Sequence, residues 1–271
     1  MLSGGCLVSK PRNKDSMSNI MTVALSVCFV CSVMVASAAV FLKPQRMANK
    51  NLDRVSNILM AAGLRNIGSE EIMAEFKKFE VRLVDLEEDR FLSSLEISDL
   101  GIDLQTYDQR RASRDPEFSR QLLDEEDIAS ITRRARYSIV YMQRDEGAIT
   151  KIILPIHGYG LWSTLYGFIS LSGDMNTVSG ITFYEHGETA GLGGEVDNMT
   201  WKASWNDKQI YDGQSVALRV VKGKALENSP SFKYEIDGLS GATLTSRGVE
   251  NLIAFWLGED GFGPLLKTLG S

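Results

Sequence analysis

The chain has 271 residues, 44% of them hydrophobic and 24% charged, ordinary values for a globular protein with room for one large domain or two small ones. Its formal net charge of −6 is unevenly spread: residues 1–50 carry six Lys/Arg and one acid, which leaves 23 bases against 34 acids in the remainder. An acidic body argues against nucleic acid as a partner and keeps the domain off anionic lipid heads.

In chain order, the first predicted element is a 23-residue run without a charge, Ile20 to Leu42, long enough to span a bilayer core as a helix. Lys10, Arg12 and Lys14 precede it and Lys43, Arg46 and Lys50 follow, so the positive-inside rule does not choose its orientation. Ala36-Ser37-Ala38 satisfies the small-x-small rule of a cleaved signal peptide. The run is longer than a usual signal core, however, and ends in Phe41-Leu42-Lys43-Pro44, which favours an uncleaved anchor. All three cysteines lie in the first 31 residues; Cys28-x-x-Cys31 falls inside the apolar run with no second pair to complete a metal site and reads as apolar filler.

Beyond the run, Leu52, Val55, Leu59 and Ala62 make a helical stripe that stops at Gly63. A further helix is predicted after Ser69, with Glu70 and Glu71 in its first turn. Another is predicted from about Asp124 to Arg136, where acids lead and bases trail as the helix dipole prefers. From Tyr137 the pattern turns strand-like: Tyr137–Tyr141, Thr150–Ile156, Leu165–Leu171, Val178–Tyr184, Ala217–Val221 and Phe232–Ile236, punctuated by Gly and Asp/Asn. A closing helix carries Val249, Leu252, Ile253 and Trp256 at helical spacing. The fold class is therefore α+β: an N-terminal transmembrane helix and helical stalk, then a largely antiparallel sheet with flanking helices.

The hand-over from the last strand to the closing helix is rich in hydroxyls: Ser240, Gly241, Ala242, Thr243 and Thr245. A strand, a short loop and a helix start make a ready anion site, because free N–H groups and the helix dipole face a phosphate there. Thr245 or Ser246 is the expected N-cap. Crowding of Ser and Thr at a helix start also serves capping alone, and on that evidence the plain capping role is favoured.

The order Asp237-Gly238-Leu239-Ser240-Gly241-Ala242-Thr243 resembles the flavinylation motif of covalent FMN-binding proteins. The resemblance implies one FMN esterified through its phosphate to Thr243, with Ser240, Gly241, Ala242 and Thr245 beside it. It also implies a flavin transferase that uses FAD as donor and recognises Asp237. The stretches His157–Ile169 and Tyr184–Val196 resemble the flavin-contacting loops of the same family, which makes Gly158, Trp162, Glu188, Thr189 and Leu192 candidate contacts. The only two histidines, His157 and His186, fall in these stretches and read as structural rather than catalytic. No His/Cys spacing points to a metal centre, and no catalytic residue is assigned.

One apolar span, a stalk, a single motif near the C-terminus and these two loops together resemble the C subunit of sodium-translocating NADH:quinone oxidoreductases, from about Met17 onward. The resemblance implies a cytoplasmic tail (1–19), a transmembrane helix (20–42), a stalk (43–68) and an extracytoplasmic FMN-binding domain (69–271) on the periplasmic side of a bacterial inner membrane. It further implies an electron-carrying subunit of a complex that oxidises NADH, reduces ubiquinone and exports sodium ions. Its partners would be other subunits holding an iron–sulfur centre and a second covalent flavin. The G subunit of Rnf-type complexes shares the motif; Ala190, where many Rnf-type chains have Pro, favours the sodium pump. A non-redox extracytoplasmic binding module is the alternative from another class. A free-standing flavin reductase would need a nicotinamide site, and no G-x-G-x-x-G follows a strand.

Overall fold

The computed structural model describes residues 16–64, 67, 68 and 70–270. Most of the predicted tail, and the predicted helix start at Ser69, lie outside the described residues. Two compact units divide the chain between Asn51 and Leu52.

Helix α1 (Met17–Ala61) begins in the first unit and ends in the second. Its apolar part has exposed side chains throughout; the most apolar 18-residue window has a mean hydropathy of 2.5 and no buried residue. Among the described residues this is the one helix long and apolar enough to cross a membrane. Pro44 lies inside the helix, in the first unit. In the second unit Val55, Leu59 and Ala62 of the predicted stripe are buried, joined by Ile58, whereas Leu52 is exposed. The helix then stops as the glycine predicts: Gly63 takes φ +84°, its N–H donates to Met60 O, and Leu64 N–H donates to Leu59 O, which closes a Schellman motif.

The remaining helices are α2 (Ile72–Phe76), α3 (Ser94–Asp99), α4 (Gln109–Ala112), α5 (Met199–Ala203), α6 (Thr243–Trp256) and α7 (Gly263–Leu269). The main sheet uses β1 (Glu80–Asp85), β2 (Arg90–Phe91), β5 (Tyr137–Asp145), β6 (Ala148–Tyr159), β7 (Thr164–Ser172) and β8 (Val178–Glu185). Short strands β3 (Ser119–Gln121) and β4 (Arg133–Ala135) pair with each other, as do β9 (Tyr211–Asp212) and β10 (Ser215–Val216), and β11 (Arg219–Val220) and β12 (Glu235–Ile236). The six-stranded order is β2-β1-β5-β6-β7-β8, antiparallel at every step; short turns join β1 to β2 and link β5, β6, β7 and β8 in succession, whereas β1 and β5 pair across a long excursion of the chain. Only the small β11–β12 pair is parallel among the described strands.

Alternation along the strands gives the sheet two apolar faces. One carries Ile152, Leu154, Ile156, Leu165 and Ile169 against Leu252, Ile253 and Trp256 of α6; the other carries Ile139, Tyr141, Ile153 and Phe168 against Val55, Ile58 and Leu59. The β6–β7 turn and the chain leaving β8 share one end of the sheet, and that end holds the site described below.

Four predicted elements are corrected. Of the strand expected over Ala217–Val221 only Arg219–Val220 is a strand, and the helix expected after Ser69 starts at Ile72, so that Glu70 and Glu71 precede its first turn. Residues Asp124–Arg136 form turns and then β4 rather than a helix. The acids there bond locally: Glu126 accepts the Leu123 N–H, and Asp127 accepts the N–H groups of Ile131 and Thr132. Ser130 and Thr132 take φ +53° and +65°, which no helix tolerates. The run Phe232–Ile236 is a strand only over its last two residues; Phe232–Tyr234 is a 3-10 turn whose carbonyls at Phe232 and Lys233 accept from Lys208 Nζ and the Gln209 N–H.

His157 ends up in β6, its ring 5.5 Å from Tyr166 and 4.8 Å from Trp256. Burial, with the Arg110 charge adding to it, pushes its pKa down to about 4 from an ordinary 6.5. The folded protein thus resists a proton that the unfolded chain accepts. Stability is complete above pH 6.5 and falls as pH drops toward 4, by at most about 3 kcal/mol. Thermal melts across that window should show the loss in the wild type and a smaller one in His157→Phe. Equal slopes would remove His157 from the account.

Candidate functional site

Three segments meet at the end of the sheet: the β6–β7 turn, the loop after β8, and the start of α6. The turn is closed by the Gly160 N–H donating to Ser163 O. Ser163 Oγ accepts the Gly187 N–H at 2.6 Å and so ties the turn to the second segment. Glu188 joins all three. Its Oε1 accepts the N–H groups of Leu161, Trp162 and Ser163 at 3.1, 3.0 and 3.3 Å, and its Oε2 accepts the Thr245 hydroxyl at 2.7 Å. Burial pushes the Glu188 pKa up, but the Thr245 hydroxyl and the three N–H groups outweigh it and hold the carboxyl below its usual range.

Helix α6 begins at Thr243, earlier than the sequence suggests, with Ala242 at the N-cap and no side chain capping it. The two expected caps are engaged elsewhere: Thr245 with Glu188, and Ser246, whose Oγ accepts the Leu239 N–H at 3.0 Å. Among the described residues, the N–H groups of Thr243, Leu244 and Thr245 are left without a partner. Four free N–H groups are usual at a helix start, and Ala is a poor cap for them. Thr243 is exposed and Thr245 is fully buried.

The loop before the helix is held from behind. Asp237 Oδ1 accepts the Ala225 N–H at 2.8 Å, and its carbonyl accepts Trp201 Nε1 at 2.8 Å. Gly241 takes φ +70° and faces Leu192, whose Cδ2 would stand 3.0 Å from an added Cβ, so the Leu192 loop approaches this loop directly. Leu192 is 44% exposed and Trp162 66% exposed, which leaves large apolar surface beside Thr243's segment. Thr189 is exposed and uses its carbonyl to hold the N–H groups of Leu192 and Gly194. Ser240 is exposed. Gly158 stands apart: it is buried, and an added Cβ would meet Leu252 Cβ at 2.5 Å, so its smallness admits α6 rather than a ligand.

A model of the FMN-binding domain family matches residues 160–258. The match takes in the Trp162 turn, the Leu192 loop, the loop before α6 and all of α6; of the expected contacts only Gly158 falls outside it. Two relatives are named as the C subunit of Na(+)-translocating NADH-quinone reductase. That of Pseudomonas aeruginosa is 48% identical over 261 residues, covering 95% of this chain and 97% of the relative. That of Yersinia pestis is 47% identical over 265 residues, covering 96% of each. The chain belongs to the C-subunit family of Na(+)-translocating NADH-quinone reductases.

Solved structures of this family carry the same fold. The crystal structure of Shewanella oneidensis NqrC superposes with a TM-score of 0.71 at 33% identity, over 82% of this chain and 98% of that one. The C subunit from Parabacteroides distasonis gives 0.62 at 26% identity, over 83% and 96%. In this member of the C-subunit family, Ser163, Gly193 and Gly248 belong to the site without having been singled out from the sequence. Gly248 had a usable signal: an isolated glycine inside a helical stripe marks a close approach. Ser163 and Gly193 had none, since their partners lie 24 and 52 residues away in the chain.

Proposed function

We propose that this chain is the membrane-anchored, electron-carrying subunit of a sodium-exporting NADH–quinone reductase, with one FMN joined through its phosphate to Thr243. The observation that carries the reading is the uncapped start of α6, which presents an exposed threonine hydroxyl beside unpartnered N–H groups. A phosphodiester on Thr243 would supply the missing negative cap. Trp162 and Leu192 offer the apolar surface that a flat ring system needs, and Gly241 lets the loop pass close by. When bound, the flavin supplies the redox chemistry, while these residues bind, orient and exclude water. NADH and quinone would react at other subunits, including partners with an iron–sulfur centre and a second covalent flavin.

Denatured chain from a host with the flavin transferase should fluoresce in a gel, because only covalent flavin survives denaturation. A dark band favours the non-redox binding module instead.

The all-round apolar helix supports a single membrane span over residues 20–42; the stalk to residue 68 and the domain on the periplasmic side, where a transferase would meet it, follow from the family resemblance alone. The intact mass of the mature chain decides the anchor: an N-terminus at Ala39 would make the domain soluble.

Asp237 is proposed as the recognition residue for the transferase, and its bond to Ala225 gives it a second task. Asp237→Asn keeps an acceptor for that N–H and should fold as the wild type does; Asp237→Ala loses it at a cost of about 1 kcal/mol. Both should lose flavin. Full flavin in Asp237→Asn would mean that the charge is not what the transferase reads.

A further inference from the structure

Glu188 was expected to touch the flavin, but its geometry suits another task. It is 8% exposed, and both carboxylate oxygens are engaged by protein donors. Three consecutive N–H groups converging on Oε1 form a nest of the kind that binds anions, filled here by the chain's own carboxylate. The glycines nearby make room for it. A Cβ at Gly160 would stand 2.6 Å from Oε1, and one at Gly193 would stand 2.7 Å from Oε2 and 2.5 Å from Thr245 Oγ1.

The backbone of Glu188 is fixed as well. Its N–H donates to His186 Nδ1 at 3.2 Å, which puts the ring hydrogen on Nε2, facing Asp197 Oδ2 at 2.9 Å. Asp197 in turn holds the buried Lys202 at 3.1 Å. The carboxylate is therefore locked at both ends, and it links the Trp162 turn, the Leu192 loop and the first turn of α6.

We propose that Glu188 is a positioning residue for cofactor attachment. It clasps the two flavin loops onto α6 and, by engaging the Thr245 hydroxyl, leaves Thr243 as the hydroxyl offered for transfer. The proposal rests on the reading that Thr243 carries FMN. In that reaction the Thr243 oxygen bonds to the FMN phosphorus of FAD, the anhydride bond breaks and AMP leaves. The hydroxyl proton passes to a base of the transferase or to water, and no electrons move. Glu188 takes no part in the bond changes; it sets where Thr243 stands and keeps Thr245 out of reach.

The test uses the full chain, the transferase and FAD, with transfer followed by gel fluorescence and the loop followed by amide hydrogen exchange. Glu188→Ala should slow transfer about tenfold or more, as displaced reacting groups do. It should also lose protection at the amides of Leu161, Trp162 and Ser163 while Val249–Phe255 keep theirs. Glu188→Gln, whose amide oxygen can still fill the nest, should recover much of the rate and the protection. Gly193→Ala, which intrudes on the same bond from the other side, should resemble Glu188→Ala. The idea is overturned if Glu188→Ala transfers at the wild-type rate. It is equally overturned if protection falls throughout α6, which would make Glu188 a residue of the fold alone. Absence of transfer to the wild type would instead sink the Thr243 reading, and the exchange data would then judge the clasp by itself.

Discussion

Thr243→Val should abolish covalent flavin while leaving the fold intact. The side chain stands exposed at the first position of α6 and makes no bond on which the helix depends. Exchanging its hydroxyl for a methyl there should change stability by no more than about 0.5 kcal/mol. Transfer needs an oxygen nucleophile, so Thr243→Ser should keep some flavin and valine none. Thr245→Val is the contrasting control. Thr245 is fully buried and donates to Glu188, so valine leaves a buried carboxylate short of one donor, at a cost of about 2 kcal/mol. Covalent FMN should nonetheless form on Thr243 in it, though more slowly than in the wild type. Fragmentation of tryptic peptides carrying the FMN mass locates the bond. Modification of Thr245, or flavin surviving in Thr243→Val, would refute the assignment while leaving membership of the C-subunit family untouched.

Much of this architecture could be read along the chain because it is written in local patterns. Strand-like apolar runs set off by Gly and Asp/Asn located β5 to β8, and the stripe through Val249 and Trp256 located α6. Gly63 marked a helix end by the one property that glycine alone has, free access to positive φ. The failures share a cause. At Asp124–Arg136 the charges looked arranged for a helix dipole, but Asp127 and Glu126 bond to nearby N–H groups and a turn wins locally. At the start of α6 the hydroxyls of Thr245 and Ser246 looked like caps. Their real partners, Glu188 and the Leu239 N–H, are supplied by folding back of the chain. The site was thus legible as a motif around Thr243, whereas the clasp that holds it depends on Glu188 meeting residues 57 positions away in sequence. No periodicity records such a meeting.

Gly248→Ala should damage both stability and flavin loading, and by more than its single methyl suggests. Gly248 lies in the second turn of α6, where the helix crosses the end of β6. An added Cβ would stand 2.5 Å from Tyr159 O and 2.9 Å from Gly160 Cα, both backbone atoms that no rotamer change can move aside. Alanine would ordinarily help a helix by nearly 1 kcal/mol, so the local effect favours the substitution and the packing effect opposes it. Packing should win. Relief requires a shift of α6 away from the β6–β7 turn, and overpacking of this kind costs about 3 kcal/mol. The direction of the shift matters more than its size. It separates Thr245 from Glu188 and carries Thr243 away from the Trp162 turn, because Gly160 adjoins both the helix and the Glu188 carboxylate. Chemical denaturation should therefore show a lower midpoint with an unchanged slope, and the folded variant should accept FMN more slowly than the wild type. Gly248→Ala with wild-type stability and full flavin would mean that α6 can slide without cost. The close approach to Tyr159 would then not be what sets Thr243 in place.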